Sequence, residues 1–125
     1  MKKVSLLTIH FGANFGSNLQ TIATVEMLKR HGCKTRVVDY IPARYTWKRF
    51  FRRGLRSATS VLKLPLLLFV EAANRYIYHS FLSRHVTFSR PIHAEDDFAA
   101  VCPKADVYVT GSDQVWNSLH NEGLD

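Results

Sequence analysis

Ser112, Asp113, Gln114 and Asn117 put four hydrogen-bonding side chains into six residues, with Trp116 among them. Asp113 is the candidate proton acceptor of the group, or the residue that orients a substrate hydroxyl. Ser112, Gln114 and Asn117 can hold a polar ligand, the hydroxyl and both amides being able to donate and to accept. A second set lies near the amino terminus, where Asn14 and Gln20 carry amides and Gly12 and Gly16 let a ligand approach the backbone closely. His10, beside that glycine loop, is a candidate acid or base. Each of these residues also has a plainer role open to it. Ser112 or Asp113 could cap a helix, Asn14 could shape a turn and Gln20 could face solvent, while Trp116 could belong to the core and His10 could be a hydrogen-bonded structural histidine.

Chemistry at these positions needs elements that bring them together. Lys3 to Ile9 reads as a strand, and Lys34 to Tyr40 as a second one. Between them Ser17 to His31 reads as a helix with Leu19, Ile22, Ala23, Val25, Met27 and Leu28 as its apolar residues and Gly32 at its end. That is one β-α-β unit with a right-handed crossover, the opening half of a Rossmann-like parallel sheet. The loop from His10 to Gly16 meets the helix amino terminus, where unpaired N–H groups and the helix dipole favour an anion. Gly16 is expected there at positive φ, closed to a β-branched residue. The glycine spacing matches neither GxGxxG nor a P-loop, which disfavours a dinucleotide cofactor. Val107, Tyr108 and Val109 read as a buried strand broken by Gly111, so the Ser112 to Asn117 set falls at a strand's carboxyl end, where open α/β sheets bind ligands.

The pattern is looser from Ile41 to Ser89. Leu62 to Val70 is apolar and Glu71 to Phe88 has helical spacing, which predicts two helices beside the sheet, the second ended by Pro91. Glu95, Asp96 and Asp97 precede a short helix that Pro103 closes, and they are expected as caps, since consecutive side chains do not turn one way to share a metal.

With these landmarks in place, Gly111-Ser112-Asp113-Gln114-Val115-Trp116-Asn117 after an apolar strand resembles the signature of the polysaccharide pyruvyl transferase family. Asn14-Phe15-Gly16-Ser17-Asn18-Leu19-Gln20 is similar to that family's Asn-Tyr-Gly-x-x-Leu-Gln motif, again directly after a strand. Two motifs in the right order are far more specific than either alone. The resemblance covers the family's amino-terminal part only. It implies that residues 1–125 are a partial, truncated Rossmann-like amino-terminal lobe of a two-lobed GT-B-like enzyme, with a basic and aromatic helical excursion at about 43–90 and the carboxy-terminal lobe absent. The sequence itself points the same way, because only Ser118 to Asp125 follow the motif where a sheet needs a covering helix.

The implied activity is transfer of a pyruvyl group from phosphoenolpyruvate to a sugar as a ketal, in the synthesis of a cell-surface or exported polysaccharide, at a cytoplasmic site. Asp113 would be catalytic, and Asn14, Gly16, Gln20, Gly111, Ser112, Gln114 and Asn117 would bind substrate. No cofactor or metal is expected, phosphoenolpyruvate being the donor and a glycan or lipid-linked oligosaccharide the acceptor. No cationic clamp for that donor stands beside the motifs, so the fragment alone is expected to be inactive. A lobe of a nucleotide-sugar glycosyltransferase and a non-catalytic Rossmann-like binding module are the alternatives.

Charge adds one feature that the motifs leave unexplained. The net charge of +7 arises in one segment, since seven of the seventeen basic residues lie from Arg44 to Lys63 and no acid falls between Tyr40 and Val70. The rest of the chain is balanced, which argues against a nucleic-acid partner. Within the segment, Arg49, Arg52, Arg53 and Arg56 interleave with Trp47, Phe50 and Phe51 and an apolar run follows, the composition of a helix lying on an anionic membrane surface; a solvated helical face is the other reading. The two cysteines, Cys33 and Cys102, are too far apart in sequence for a CxxC pair and are expected as reduced thiols. Leu64 to Val70 contains Pro65 and is far shorter than the ~20 residues that span a bilayer.

Overall fold

β1 (Lys2–Leu7) forms the middle of a three-stranded parallel sheet, between β2 (Cys33–Val37) and β5 (Val107–Thr110), in a computed structural model that describes residues 1–10, 14–55 and 58–111. Val4 is paired with Thr35 on one side and Val107 on the other. β1 and β2 are joined through α1 (Phe15–Arg30), as the β-α-β pattern predicts. The protein is thus α/β, a small parallel sheet with flanking helices.

Alternation along the strands divides the core in two. Leu6 and Val37 face Val25 of α1 and meet Leu82 and Val86, with Ile22, Phe88 and Val109 around them. Val38, Tyr40 and Ile92 form a second cluster with Leu7, Phe98, Val101 and Cys102. The apolar stripe expected on α1 is only partly the buried one. Asn18, Thr21 and Val25 are buried, whereas Leu19 and Met27 are more than half exposed. Thr21 tolerates its site by donating its hydroxyl to the Ser17 carbonyl. Gly32, at φ 75°, closes the helix by donating its N–H to the Lys29 carbonyl.

The second strand ends earlier than its sequence suggests. After Val37 the chain turns, and β3 (Tyr40–Ile41) pairs in parallel with β4 (Ile92–His93) as a separate two-stranded sheet. A 3-10 turn over Ala43–Tyr45 then leads to α2 (Trp47–Gly54) and α3 (Ala58–Ser83). α3 is continuous where two separate periodic stretches suggested a break, and Pro65 lies inside it, removing one backbone donor without ending the helix. Pro91 is not its terminator either. The chain leaves α3 at Ser83 because Val86 turns back into the core and the next residues bracket Val37, whose N–H donates to the Thr87 carbonyl and whose carbonyl accepts from Ser89. The short α4 (Phe98–Val101) is capped as expected, Asp97 accepting from the N–H groups of Ala99 and Ala100.

β5 corrects one expectation. Val107 and Tyr108 are exposed, Tyr108 at 60%, because the strand is the sheet edge and β1 is its only strand neighbour among the described residues.

Candidate functional site

The order β2-β1-β5 sends the chain to one side of β1 and then across to the other, which creates a topological switch point between the carboxyl ends of β1 and β5. The two sequence motifs meet there. Asn14 caps α1, its side-chain oxygen accepting from the N–H groups of Gly16 at 2.8 Å and Ser17 at 3.4 Å. Two turns of sequence later, Gln20 Nε2 donates to the carbonyl of Gly111 at 2.9 Å, although the two residues are 91 positions apart. Gly111 in turn donates its N–H to the Leu7 carbonyl, fixing the end of β5 against β1.

Gly16 is within the helix and does not have positive φ; among the described glycines only Gly32 does. What Gly16 supplies is room, since a Cβ there would lie 3.1 Å from the capping oxygen of Asn14. At Gly111 a Cβ would lie 3.0 Å from Leu6 Cδ1, in the buried middle of the sheet. The expected catalytic residue Asp113, and Ser112, Gln114, Trp116 and Asn117, lie outside the described residues, as do Gly12 and Arg56. Arg49 and Arg52 are exposed on α2.

On the other side of β1 is a cleft of about 380 Å³, between α3 and the loops that leave β1 and β2. His10 and Asp39 contribute to it, both buried. His10 Nε2 lies 2.9 Å from Asp39 Oδ1 and its Nδ1 lies 3.0 Å from the Thr8 carbonyl. A carbonyl only accepts, so the Thr8 contact calls for the hydrogen on Nδ1. The Asp39 backbone is fixed as well, its N–H donating to Ser89 Oγ at 3.0 Å. Across the cleft Arg75 Nε donates to Glu71 Oε1 at 2.7 Å, and its guanidinium sits 4.3 Å from the centre of the Trp47 ring. Phe15, inside the first motif, packs on Tyr78 at 4.5 Å between ring centres, so the cleft adjoins the motif junction.

Sequence reasoning singled out His10 but not its partner, and it missed Asn74 and Arg75 altogether. Asp39 falls inside the strand expected over Lys34 to Tyr40, and only the earlier end of β2 at Val37 places it beyond a strand as His10 is. A larger groove of about 720 Å³ opens at the amino-terminal end of the strands, lined by Lys3, Lys34, Arg36 and Lys104. It is at the wrong end of a parallel sheet to share a site with the motifs. No group of His, Cys, Asp and Glu among the described residues is arranged to hold a metal ion.

Near the arginines expected to meet a membrane, apolar residues of α3 are also exposed. Within α3, Leu62, Leu66 and Phe69 are 65% exposed or more, and Val61, Leu67 and Val70 are also open. α2 lies against this half of α3, and a Cβ on Gly54 would come within 2.6 Å of Leu64 Cδ1. No helix among the described residues is long and apolar enough to cross a membrane. Comparison of the chain with protein-family models, curated proteins and solved structures gave no match.

Proposed function

We propose that this protein transfers a pyruvyl group from phosphoenolpyruvate to two hydroxyls of one sugar, making a cyclic ketal on a surface polysaccharide or its precursor. The observation that carries the reading is the hydrogen bond from Gln20 to the Gly111 carbonyl: the last residue of one motif holds the first residue of the other at the switch point of the sheet.

The reaction requires protonation of the enol carbon, which leaves a cation at C2. One sugar hydroxyl bonds to C2 and gives up its proton, phosphate leaves C2, and the second hydroxyl closes the ring as it too loses a proton. In this reading Asp113 accepts a hydroxyl proton, Ser112, Gln114 and Asn117 orient the sugar, and the Asn14-capped start of α1 supports the substrate through its backbone. The donor's negative charge calls for cations that the described residues of the motif junction do not supply. A second, GT-B-like lobe facing the carboxyl edge of the sheet supplies them, with the substrates held between lobes. Sugar precursors carried on lipid also give a use for the exposed apolar half of α3 and the cations of α2, as a peripheral contact with the cytoplasmic face of an anionic membrane.

The test is to incubate the protein, in its full reading frame, with phosphoenolpyruvate and surface-glycan precursors. The expected result is a pyruvyl mass increment on the glycan with one phosphate released per ketal. Release of a nucleotide from a sugar nucleotide, or no change in glycan mass, refutes it.

A further inference from the structure

The cleft beside the motif junction has a lining that selects for one kind of ligand. Two of its basic residues already face carboxylates, Arg75 with Glu71 at 2.7 Å and His10 with Asp39 at 2.9 Å, and a third, His79, stacks on Phe88. A phosphate or carboxylate entering would meet those two acids at close range, so an anion is disfavoured. A neutral ligand meets no such opposition.

The apolar part of the lining sets three aromatic residues, Tyr45, Tyr78 and Phe88, beside Ile41, Leu82 and Pro91. Flat faces of this kind pack against the C–H face of a pyranose ring, and the volume falls in the ~300–1,000 Å³ range of small-ligand clefts. The polar groups are of the matching type. Asn74 makes no side-chain hydrogen bond among the described residues, leaving an amide that can both donate and accept. Asp39 uses Oδ1 for His10, and no hydrogen bond among the described residues reaches Oδ2. His10 holds that carboxylate through Oδ1 and Ser89 Oγ accepts from the Asp39 backbone N–H, so the free oxygen is oriented before any ligand arrives.

We propose that this cleft binds a neutral hexopyranose, with Asn74 and Asp39 Oδ2 taking ring hydroxyls and the tyrosines flanking the ring. The sugar's role as the acceptor rests on the pyruvyl-transfer reading; its binding does not. Adjacency through the Phe15–Tyr78 contact would then place an acceptor ring within reach of the motif junction.

Ligand-observed saturation-transfer NMR on the protein decides the matter, with methyl glycosides of glucose, galactose and mannose as probes and inorganic phosphate as competitor. At least one glycoside should receive saturation at its ring C–H protons, with affinity in the millimolar range that suits a single ring. Asn74→Ala should weaken it at least tenfold without lowering the melting temperature, and Asn74→Asp, similar in size but without a donor, should weaken it too. Lys34→Ala, in the groove at the opposite end of the sheet, should leave it unchanged, and phosphate should not compete. The inference is overturned if no glycoside binds, if phosphate displaces the glycoside, or if both Asn74 variants bind as the parent does. Pyruvyl transfer that survives in those variants would leave the proposed function standing and remove this site. Glycoside binding without any turnover of phosphoenolpyruvate would do the reverse.

Discussion

Replacing Asp39 with Ala tests the electrostatic arrangement at the cleft floor. The side chains of His10 and Asp39 are 4% and 11% exposed and meet at 2.9 Å, so the pair is desolvated and poorly screened. An exposed pair would contribute about 0–1 kcal/mol, whereas removing one member of a buried pair costs about 3–5 kcal/mol, because the other is left without its partner. Asp39→Ala also removes little apolar contact, so the lost hydrogen bond and the stranded imidazole dominate. A loss near ~3 kcal/mol is a large share of the ~5–15 kcal/mol that stabilises a domain, and with a urea slope of ~2 kcal/mol/M it moves the midpoint down by about 1.5 M. The assay is urea unfolding of the parent, Asp39→Ala, His10→Ala and the double variant, at low and high salt. The coupling energy from this cycle should reach at least ~1.5 kcal/mol and change little with salt. Coupling below ~0.5 kcal/mol, or its disappearance in high salt, would refute the description of the pair as a buried unit.

Asp113→Asn should lower turnover by about 10² or more in the full-length enzyme with the fold intact, as read by single-turnover kinetics and circular dichroism; near-parental turnover would reject the proton-accepting role. Asn14→Ala should cost about 1 kcal/mol by removing the cap from Gly16 and Ser17, and Gly16→Val should do similar damage by crowding the same oxygen; unchanged melting in both would remove the cap from the account. Changing Arg49, Arg52, Arg53 and Arg56 together to Gln should weaken co-sedimentation with anionic vesicles, and Leu62, Leu66 and Phe69 together to Ser should weaken it further; equal binding to neutral vesicles would sink the membrane contact. Tyr40→Phe should be neutral or stabilising by up to ~1 kcal/mol, since the buried Tyr40 hydroxyl has no hydrogen-bond partner among the described residues. Burial also raises the Tyr40 pKa, so the phenol ionises more readily after unfolding, and the parent should lose stability as pH climbs past about 10 while the Phe variant is spared that loss.

The β-α-β unit was legible because strand and helix periods differ and Gly32 punctuates them, and the parallel pairing of β1 with both neighbours follows from that unit and the later Val107–Thr110 run. Residues 41–89 were less legible for a physical reason: α3 is apolar on almost every side along its first half, so no polar face marks its ends or its direction, and a proline within it mimics a boundary. The two motifs were visible as strings, but their meeting through Gln20 and Gly111 depends on strand order, which no local pattern encodes. The His10–Asp39 pair failed to announce itself for the same reason, with partners 29 residues apart at the ends of adjacent strands. Parallel strands do, however, supply the missing rule. β1 and β2 pair from Lys2 with Cys33 to Leu6 with Val37, so the loops beyond their carboxyl ends leave side by side, and a histidine in one with a carboxylate in the other is a candidate pair even before coordinates are known.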